Sequence, residues 1–306
     1  MLRRLGLFYL IFVLNGYAKT AEEILQETHL ANINTILIFT SQDSISSGTY
    51  HFTKVGISMD IYHLPFTYHF KSNKSYNYFL VGNIGYSRTY LSNDSVPFDS
   101  IVFDYNSEIK TYTVGIGGGV RYNITKDFAV LTGMELIYSR SGSSVKTSTT
   151  NITSTAKDIF NKNYTDNFTY KFFTLAEYQT EISDFKPYAS LGYRLYQTKS
   201  SLNVDSARTF TTQSSATTLT LGLETPMLYK NNVNYLTLEG YFNTNYIAGD
   251  VAKTVKFDSY ETVGITAYLY TPDSPKSIKR FFIDINTVRS KGLEGYNVGV
   301  GFTADF

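Results

Sequence analysis

The chain has 306 residues, of which 27 are basic and 26 acidic, and it contains no Cys, no Trp, 27 Tyr and 22 Phe. The absence of Cys excludes a disulfide scaffold, a Cys-ligated zinc site and a Cys nucleophile, and the balanced charge argues against a protein that binds nucleic acid electrostatically. No apolar run of about 20 residues follows the N-terminal segment, which excludes a helical membrane protein.

The first 18 residues have the layout of a secretory signal peptide. Arg3 and Arg4 form a short basic start, residues 5–14 form an apolar core, and Gly16 and Ala18 supply the small residues of a cleavage site. The apolar core is too short to span a bilayer as a helix. We therefore expect residues 1–18 to be a signal peptide; the alternative is a buried N-terminal helix.

Residues 19–34 are predicted to form a short helical lead. Thr20 is a candidate N-cap, and Glu23 three residues later completes a capping box. Ile24 and Leu25 begin an apolar side. Two interpretations stay open, a loose arm and a helix that enters or plugs a pore.

From residue 35 onwards, apolar and polar residues alternate with a period of two, which is typical of strands with one apolar face. Most of these runs exceed ten residues, whereas strands in soluble proteins average about 5–6 residues and a tilted strand that crosses a bilayer needs roughly 9–11. The predicted strands lie near 35–41, 49–64, 76–91, 108–123, 127–140, 168–182, 185–201, 215–229, 233–247, 258–270, 278–289 and 294–306.

The predicted connections alternate between short and long, as in outer-membrane barrels with short periplasmic turns and long external loops. The short ones lie at 71–75, 123–127, 183–184, 229–232 and 271–276, and the long ones near 92–107, 141–167, 203–214 and 248–257. A sheet in lipid must close on itself. The sequence therefore predicts an all-β fold, a transmembrane antiparallel β-barrel of about 12 strands over residues 35–306, with both termini periplasmic. Because Pro65 interrupts one run, ten or fourteen strands stay open.

The face opposite the apolar residues is predicted to line the lumen. Its charged residues are Asp60, Arg121, Glu135, Glu177, Arg194, Glu224, Glu239, Arg280 and Asp284. Their mixed signs favour ion pairs inside the barrel over a ring that selects ions. Gly115, Gly117 and Gly119 lie within a strand with no following helix, so we expect them to leave space or permit curvature and not to bind phosphate.

No catalytic, cofactor-binding or metal site is expected. The four histidines are His29, His51, His63 and His69, and none lies in the His-x-Ser-Asn-Gly signature of outer-membrane phospholipases. A lipid A deacylase would need a His near its last strands, and no His follows residue 69 in this chain. The Ser/Thr/Asn-rich segment 141–167 is interpreted as a solvated loop, with a fold-back constriction or a ligand-binding loop as the alternative.

The last predicted strand carries a motif. Its apolar residues Tyr296, Val298, Val300, Phe302 and Phe306 alternate with small or polar residues, and the chain ends on Phe. This run resembles the C-terminal signal by which outer-membrane barrels engage their insertion machinery. The wider layout of a signal peptide, a short helical lead and about twelve strands is similar to the autotransporter β-domain in a solitary form without a passenger. The resemblance implies a translocator-like or structural barrel.

The sequence thus predicts a Gram-negative outer-membrane protein that acts as a passive or gated pore or as a translocator-like barrel. Two alternatives stay open: an enzyme that acts on lipid or peptide at the outer leaflet, and a surface adhesin or receptor that uses the long external loops. The expected partners are outer-membrane lipid, lipopolysaccharide and the barrel-insertion machinery, and no cofactor or nucleic acid is expected.

Overall fold

The structure, a computed structural model, describes residues 45–70, 75–98, 101–147, 163–203, 209–231, 234–271 and 278–304. The strands are β1 (Ile45–Phe52), β2 (Ile57–His69), β3 (Tyr76–Phe98), β4 (Ile101–Asn123), β5 (Phe128–Thr147), β6 (Tyr164–Gln179), β7 (Lys186–Leu202), β8 (Thr209–Glu224), β9 (Tyr229–Lys230), β10 (Tyr235–Gly249), β11 (Ser259–Tyr270), β12 (Ile278–Ser290) and β13 (Leu293–Ala304). One short helix, α1 (Asp250–Val255), follows β10. The predicted signal peptide, helical lead and first strand and the final Phe306 lie outside the described residues.

The strands form one closed antiparallel sheet. Each wall strand pairs with the next along the chain, β8 pairs directly with β10, and β1 pairs with β13 to complete the circle. The two-residue β9 pairs only with the start of β10 and is not part of the wall. Twelve strands therefore make the wall, which confirms the predicted all-β antiparallel barrel.

The two ends of the barrel are distinguished by the direction of the strands. We call the end at which β1 begins and β13 finishes the terminal end, and the opposite end, with the β1–β2 turn, the far end. At the terminal end, β6 and β7 are joined by a tight turn in which Ser183 and Asp184 both have positive φ, 51° and 69°. Two successive positive φ values match the right-handed twist of a hairpin, and the short connection predicted there is confirmed.

The outer face of the wall is apolar and ends in aromatic residues on both sides. Near the terminal end, Tyr76 is paired with Tyr122. Towards the far end, Tyr86 contacts Tyr62 and Tyr112, with ring centroids 6.1 and 5.1 Å apart. From Tyr112 to Tyr122 the strand rises about 33 Å, and a tilt of about 40° reduces this to roughly 25 Å, the height of the apolar band of a membrane barrel. Outer-face side chains therefore match a bilayer in chemistry and in span.

Inside the barrel, the terminal half is polar, whereas the far end is apolar beside β1, β2 and α1 and lined by buried Ser, Thr and Asn side chains along β3–β8. The buried apolar residues of the far end include Tyr50, Phe52, Ile57, Met59, Ile61, Ile247, Val251, Val255, Phe257, Val288 and Leu293. The rings of Phe52 and Phe257 stack with centroids 6.1 Å apart.

In the described part of the chain, no helix is long and apolar enough to cross a membrane.

Several local predictions are wrong, and the loops predicted at 141–167 and 203–214 are among them because both are partly strand. The strand predicted at 49–64 is two strands, β1 and β2, joined by a turn at residues 53–56. The loop predicted at 92–107 is mostly strand, because β3 and β4 continue their pairing up to Phe98 and Ile101. The loop predicted at 248–257 contains α1, which the sequence pattern did not indicate because only six residues are helical.

Candidate functional site

One side of the lumen, from β3 to β6, is held together by two ion pairs. Arg121 lies 2.5 Å from Glu177, which is on a strand two places along the wall. Lys171 lies 2.9 Å from Glu135, whose side chain is only 3% exposed, and Asn83 donates a further hydrogen bond to Glu135. A buried carboxylate needs such partners because desolvation otherwise disfavours its charged form.

The Gly-x-Gly-x-Gly run of β4 makes room for these side chains. A Cβ atom on Gly117 would lie 2.6 Å from the Cα atom of Glu135, and one on Gly119 would lie 2.6 Å from the ring of Phe79. Phe79 in turn contacts Phe173 from β6, with ring centroids 6.1 Å apart. Gly117 therefore allows the backbone of β5 to approach closely, and Gly119 allows the Phe79 ring to lie against the wall.

The other side of the lumen, from β7 to β12, is a network of tyrosines and carboxylates. Glu239 accepts hydrogen bonds from the hydroxyls of Tyr188 at 2.6 Å and Tyr268 at 3.1 Å. Asp284 accepts one from Tyr241 at 3.2 Å and one from Thr266 at 2.9 Å. Some of these bonds join strands that are not neighbours in the sheet, so they stabilise the wall from its inner face.

Cations complete this side of the lumen at the terminal end. Glu224 lies 3.8 Å from the Nζ atom of Lys186 and accepts a 2.8 Å hydrogen bond from Tyr270. Arg280 donates to the Tyr270 hydroxyl at 3.2 Å, and its guanidinium lies 4.4 Å from the ring centre of Tyr268. A guanidinium over an aromatic face is stabilised by the ring quadrupole.

Eight of the nine charged residues predicted to line the lumen face inward on the described strands: Arg121, Glu135, Glu177, Arg194, Glu224, Glu239, Arg280 and Asp284. The prediction missed Lys171 and Lys186, although the alternation that selected Glu177 and Arg194 also selects these two positions. With them, the inward residues named here comprise five cations and five carboxylates, so the wall has no excess of either sign. Such a wall gives no basis for selecting ions by charge.

Asp60 does not line the lumen, and that prediction is wrong. It shares a face of β2 with the exposed Tyr62, whereas the buried Met59 and Ile61 point inward. Its carboxylate accepts a 2.8 Å hydrogen bond from Thr49 on the outer face. The usual pattern is inverted on this part of β2, because its inward side chains are apolar there while its outer face has left the apolar band.

At the far mouth of the barrel, α1 turns one of its sides inward. Val251 and Val255 of this helix are both 1% exposed, and Lys253 on its other side is 80% exposed. The helix is attached to β8 at two points: Gln213 donates its backbone N–H to Asp250 at 2.9 Å, and the N–H of Val251 donates to Ser214 at 3.2 Å. Gly249 before it has a φ of 83°, which allows the chain to turn inward.

Two of the three histidines in the described residues, His63 and His51, lie on opposite faces of the wall. His63 faces the lumen and is buried, and neither ring nitrogen has a hydrogen-bond partner. His51 lies on the outer face, with Nδ1 3.0 Å from the hydroxyl of Ser58. Glu294 lies opposite His51 in the register of β1 and β13, but no ion pair between them is seen in the described residues. No group of His, Asp and Glu there is arranged to hold a metal ion.

The proposed assembly signal lies on the outer face. Tyr296, Val298, Val300 and Phe302 all point outward on β13 and are exposed. The final Phe306 lies outside the described residues. The alternation of this strand is therefore as expected, and its engagement with insertion machinery stays a prediction.

Comparison with solved structures identifies the fold. The translocator domain of the autotransporter NalP from Neisseria meningitidis aligns with a TM-score of 0.57 at 10% identity, covering 94% of this chain and 96% of that one. The β domain of the Bordetella autotransporter BrkA gives 0.54 at 10% identity, covering 85% and 96%. The transport unit of AIDA-I from Escherichia coli gives 0.54 at 9% identity, covering 94% and 100%.

These likenesses confirm the predicted fold: the chain forms a closed antiparallel β-barrel like those of autotransporter β-domains. At such low identity they establish the fold and carry no site residue across. No protein-family model matches the sequence, and comparison with curated proteins found no match.

Proposed function

We propose that this barrel is a translocator-like passage across the Gram-negative outer membrane, held closed at its far mouth in the state described here. The observation that carries the proposal is a lumen with a charged, internally paired wall in its terminal half and an apolar cap at its far end. A polar lumen suits passage of polar material. The cap made by α1 explains how such a lumen stays closed.

The proposal places the terminal end, and with it both chain termini, in the periplasm. Strands β3, β4 and β5 continue about ten residues past the far-end tyrosines, but at the terminal end they finish at the aromatic row. Outer-membrane barrels extend further on the external side. As part of the same proposal, the outward apolar residues of β13 and Phe306 engage the insertion machinery.

Conductance in a planar bilayer tests the passage. We expect the wild-type barrel to conduct rarely and Val251→Asp to conduct often, because an unpaired carboxylate at a buried apolar contact costs about 3 kcal/mol, which shifts a closed-to-open equilibrium roughly 100-fold. Lys253→Ala is the matched control, since the side chain of Lys253 is exposed on the other side of the same helix. Equal, low conductance of both variants in correctly inserted barrels contradicts the proposal. The same recording on a chain without residues 19–34 distinguishes a plug from a loose arm.

An outer-leaflet hydrolase is the second candidate, because Ser58 and His51 are in hydrogen-bond contact on the outer face. We nevertheless propose a non-catalytic role. Among the described contacts, His51 has no carboxylate partner to orient its ring, and the neighbouring backbone N–H groups belong to a regular sheet. We expect refolded wild-type protein to release fatty acid from phospholipid vesicles no faster than Ser58→Ala. Hydrolysis that disappears in Ser58→Ala would establish the enzyme instead.

A further inference from the structure

A shallow groove crosses the outer face of the wall at β1. Ser47 lies at its floor, and the larger side chains of the neighbouring strands form its sides, among them Tyr62, Leu64, Ile84 and Val298. The groove arises because β1 contributes a small side chain where β13 and β2 contribute large ones, Val298 and Tyr62 being the direct register partners of Ser47.

The position of the groove decides what chemistry fills it. Its walls belong to the apolar outer band, just below the row of Tyr62, Tyr86 and Tyr112. At that depth a membrane barrel is surrounded by hydrocarbon. An acyl chain is therefore the occupant that the surroundings supply.

Cations lie directly beyond the groove. Arg88 follows Tyr86 on the outer face of β3, Lys110 precedes Tyr112 on β4, and the two cations are register partners. Their side chains are 43% and 53% exposed, against 25% for Glu108, which lies 2.6 Å from Arg88 and 3.4 Å from Lys110. Both cations are thus more exposed to solvent than the carboxylate with which they pair.

The acidic neighbours limit the local charge without covering the cations. The hydrogen bond from Arg88 holds the pKa of Glu108 below its usual range, so this carboxylate is ionised at neutral pH. Asp60 is the register partner of Arg88 on β2 and is bonded to Thr49. Arg88 donates through Nε to Glu108, and its guanidinium lies 4.8 Å from the ring centre of Tyr90, so in the described contacts its two terminal nitrogens donate no hydrogen bond.

We propose that this surface binds an acylated, phosphorylated glycolipid, the lipid A portion of lipopolysaccharide, with one acyl chain in the groove and a phosphate on Arg88 and Lys110. The inference rests on the proposed function, because the far end faces the outer leaflet only in that orientation. Tyrosines below the cations mark the depth at which lipid headgroups begin. Guanidinium and ammonium groups are the side chains that proteins use for phosphate.

The test uses full-length refolded barrel in detergent, titrated with lipopolysaccharide, with dephosphorylated lipopolysaccharide and with phosphatidylglycerol, and retained lipid is measured by native mass spectrometry. We expect Arg88→Gln/Lys110→Gln to reduce retention of lipopolysaccharide by roughly tenfold or more, the size of effect given by loss of charged hydrogen bonds. Ser47→Leu, which fills the groove, is expected to reduce it as well. Lys199→Gln, an exposed outward cation on β7, is the matched control.

Glu108→Gln distinguishes lipid binding by the cations from a purely structural role of their salt bridges. This variant removes the acid between the two cations, so we expect retention of lipopolysaccharide to stay the same or rise. If the salt bridges were only structural, Glu108→Gln would reduce retention as the double variant does. Unchanged retention in the double variant or in Ser47→Leu overturns the proposal, and so does equal retention of phosphatidylglycerol. Conductance of the double variant is expected to match wild type, so a failure here is distinguishable from a failure of the passage itself.

Discussion

Gly117→Ala is expected to destabilise the barrel by about 3 kcal/mol, near the upper part of the usual range for overpacking. The added Cβ atom would meet the backbone of β5, at the carbonyl of Met134 and the Cα atom of Glu135. Backbone in a paired strand has little freedom to move, so β4 and β5 would have to separate locally. Urea unfolding of protein inserted in lipid vesicles, followed by heat-modifiable migration on a gel, measures the loss.

Gly240→Ala is the matched control for this prediction. Gly240 also lies within a paired wall strand, but a Cβ atom there has no heavy atom within 4 Å. Alanine at this position removes conformational freedom from the unfolded chain without a clash, so we expect no loss of stability. A similar loss in both variants would show that glycine serves strand curvature in general and not the close approach at Gly117.

Lys171→Met is expected to cost about 3–5 kcal/mol, the range measured when one partner of a buried ion pair is removed. Glu135 would keep the hydrogen bond from Asn83 and lose its cation, and its side chain is almost fully buried. The midpoint of urea unfolding at neutral pH measures the change.

The double variant Lys171→Met/Glu135→Gln tests the cause. Removing both charges leaves no buried ion without a partner, so stability is expected to return to within about 1 kcal/mol of wild type. The Lys171 ammonium lies 5.6 Å from the ring centre of Phe173. If the double variant is as unstable as Lys171→Met alone, the lysine stabilises the wall by packing its aliphatic chain against that ring and not by its charge.

The lumen differs from the sequence expectation at residues where the two-residue period is ambiguous. Phe79 breaks the polar face of β3 in the sequence, yet it faces inward and lies over Gly119. Asp60 looks like a lumen residue because it interrupts an apolar run, yet the apolar neighbours Met59 and Ile61 are the ones inside. A period of two distinguishes the two faces of a strand but does not say which face is inside once the membrane band has ended.

The alternation of apolar and polar residues was enough to predict a closed barrel of about twelve strands and the inward position of eight of the nine charges, because lipid requires an apolar outer face and leaves every second residue for the lumen. Which charges pair follows from strand register, since Arg121 and Glu177 meet across an intervening strand. The inward turn of α1 at the far mouth and the groove that a small residue of β1 leaves between its neighbours likewise arise only in the folded barrel. Those features depend on side-chain volumes brought together by strand register, which a single strand's pattern does not contain.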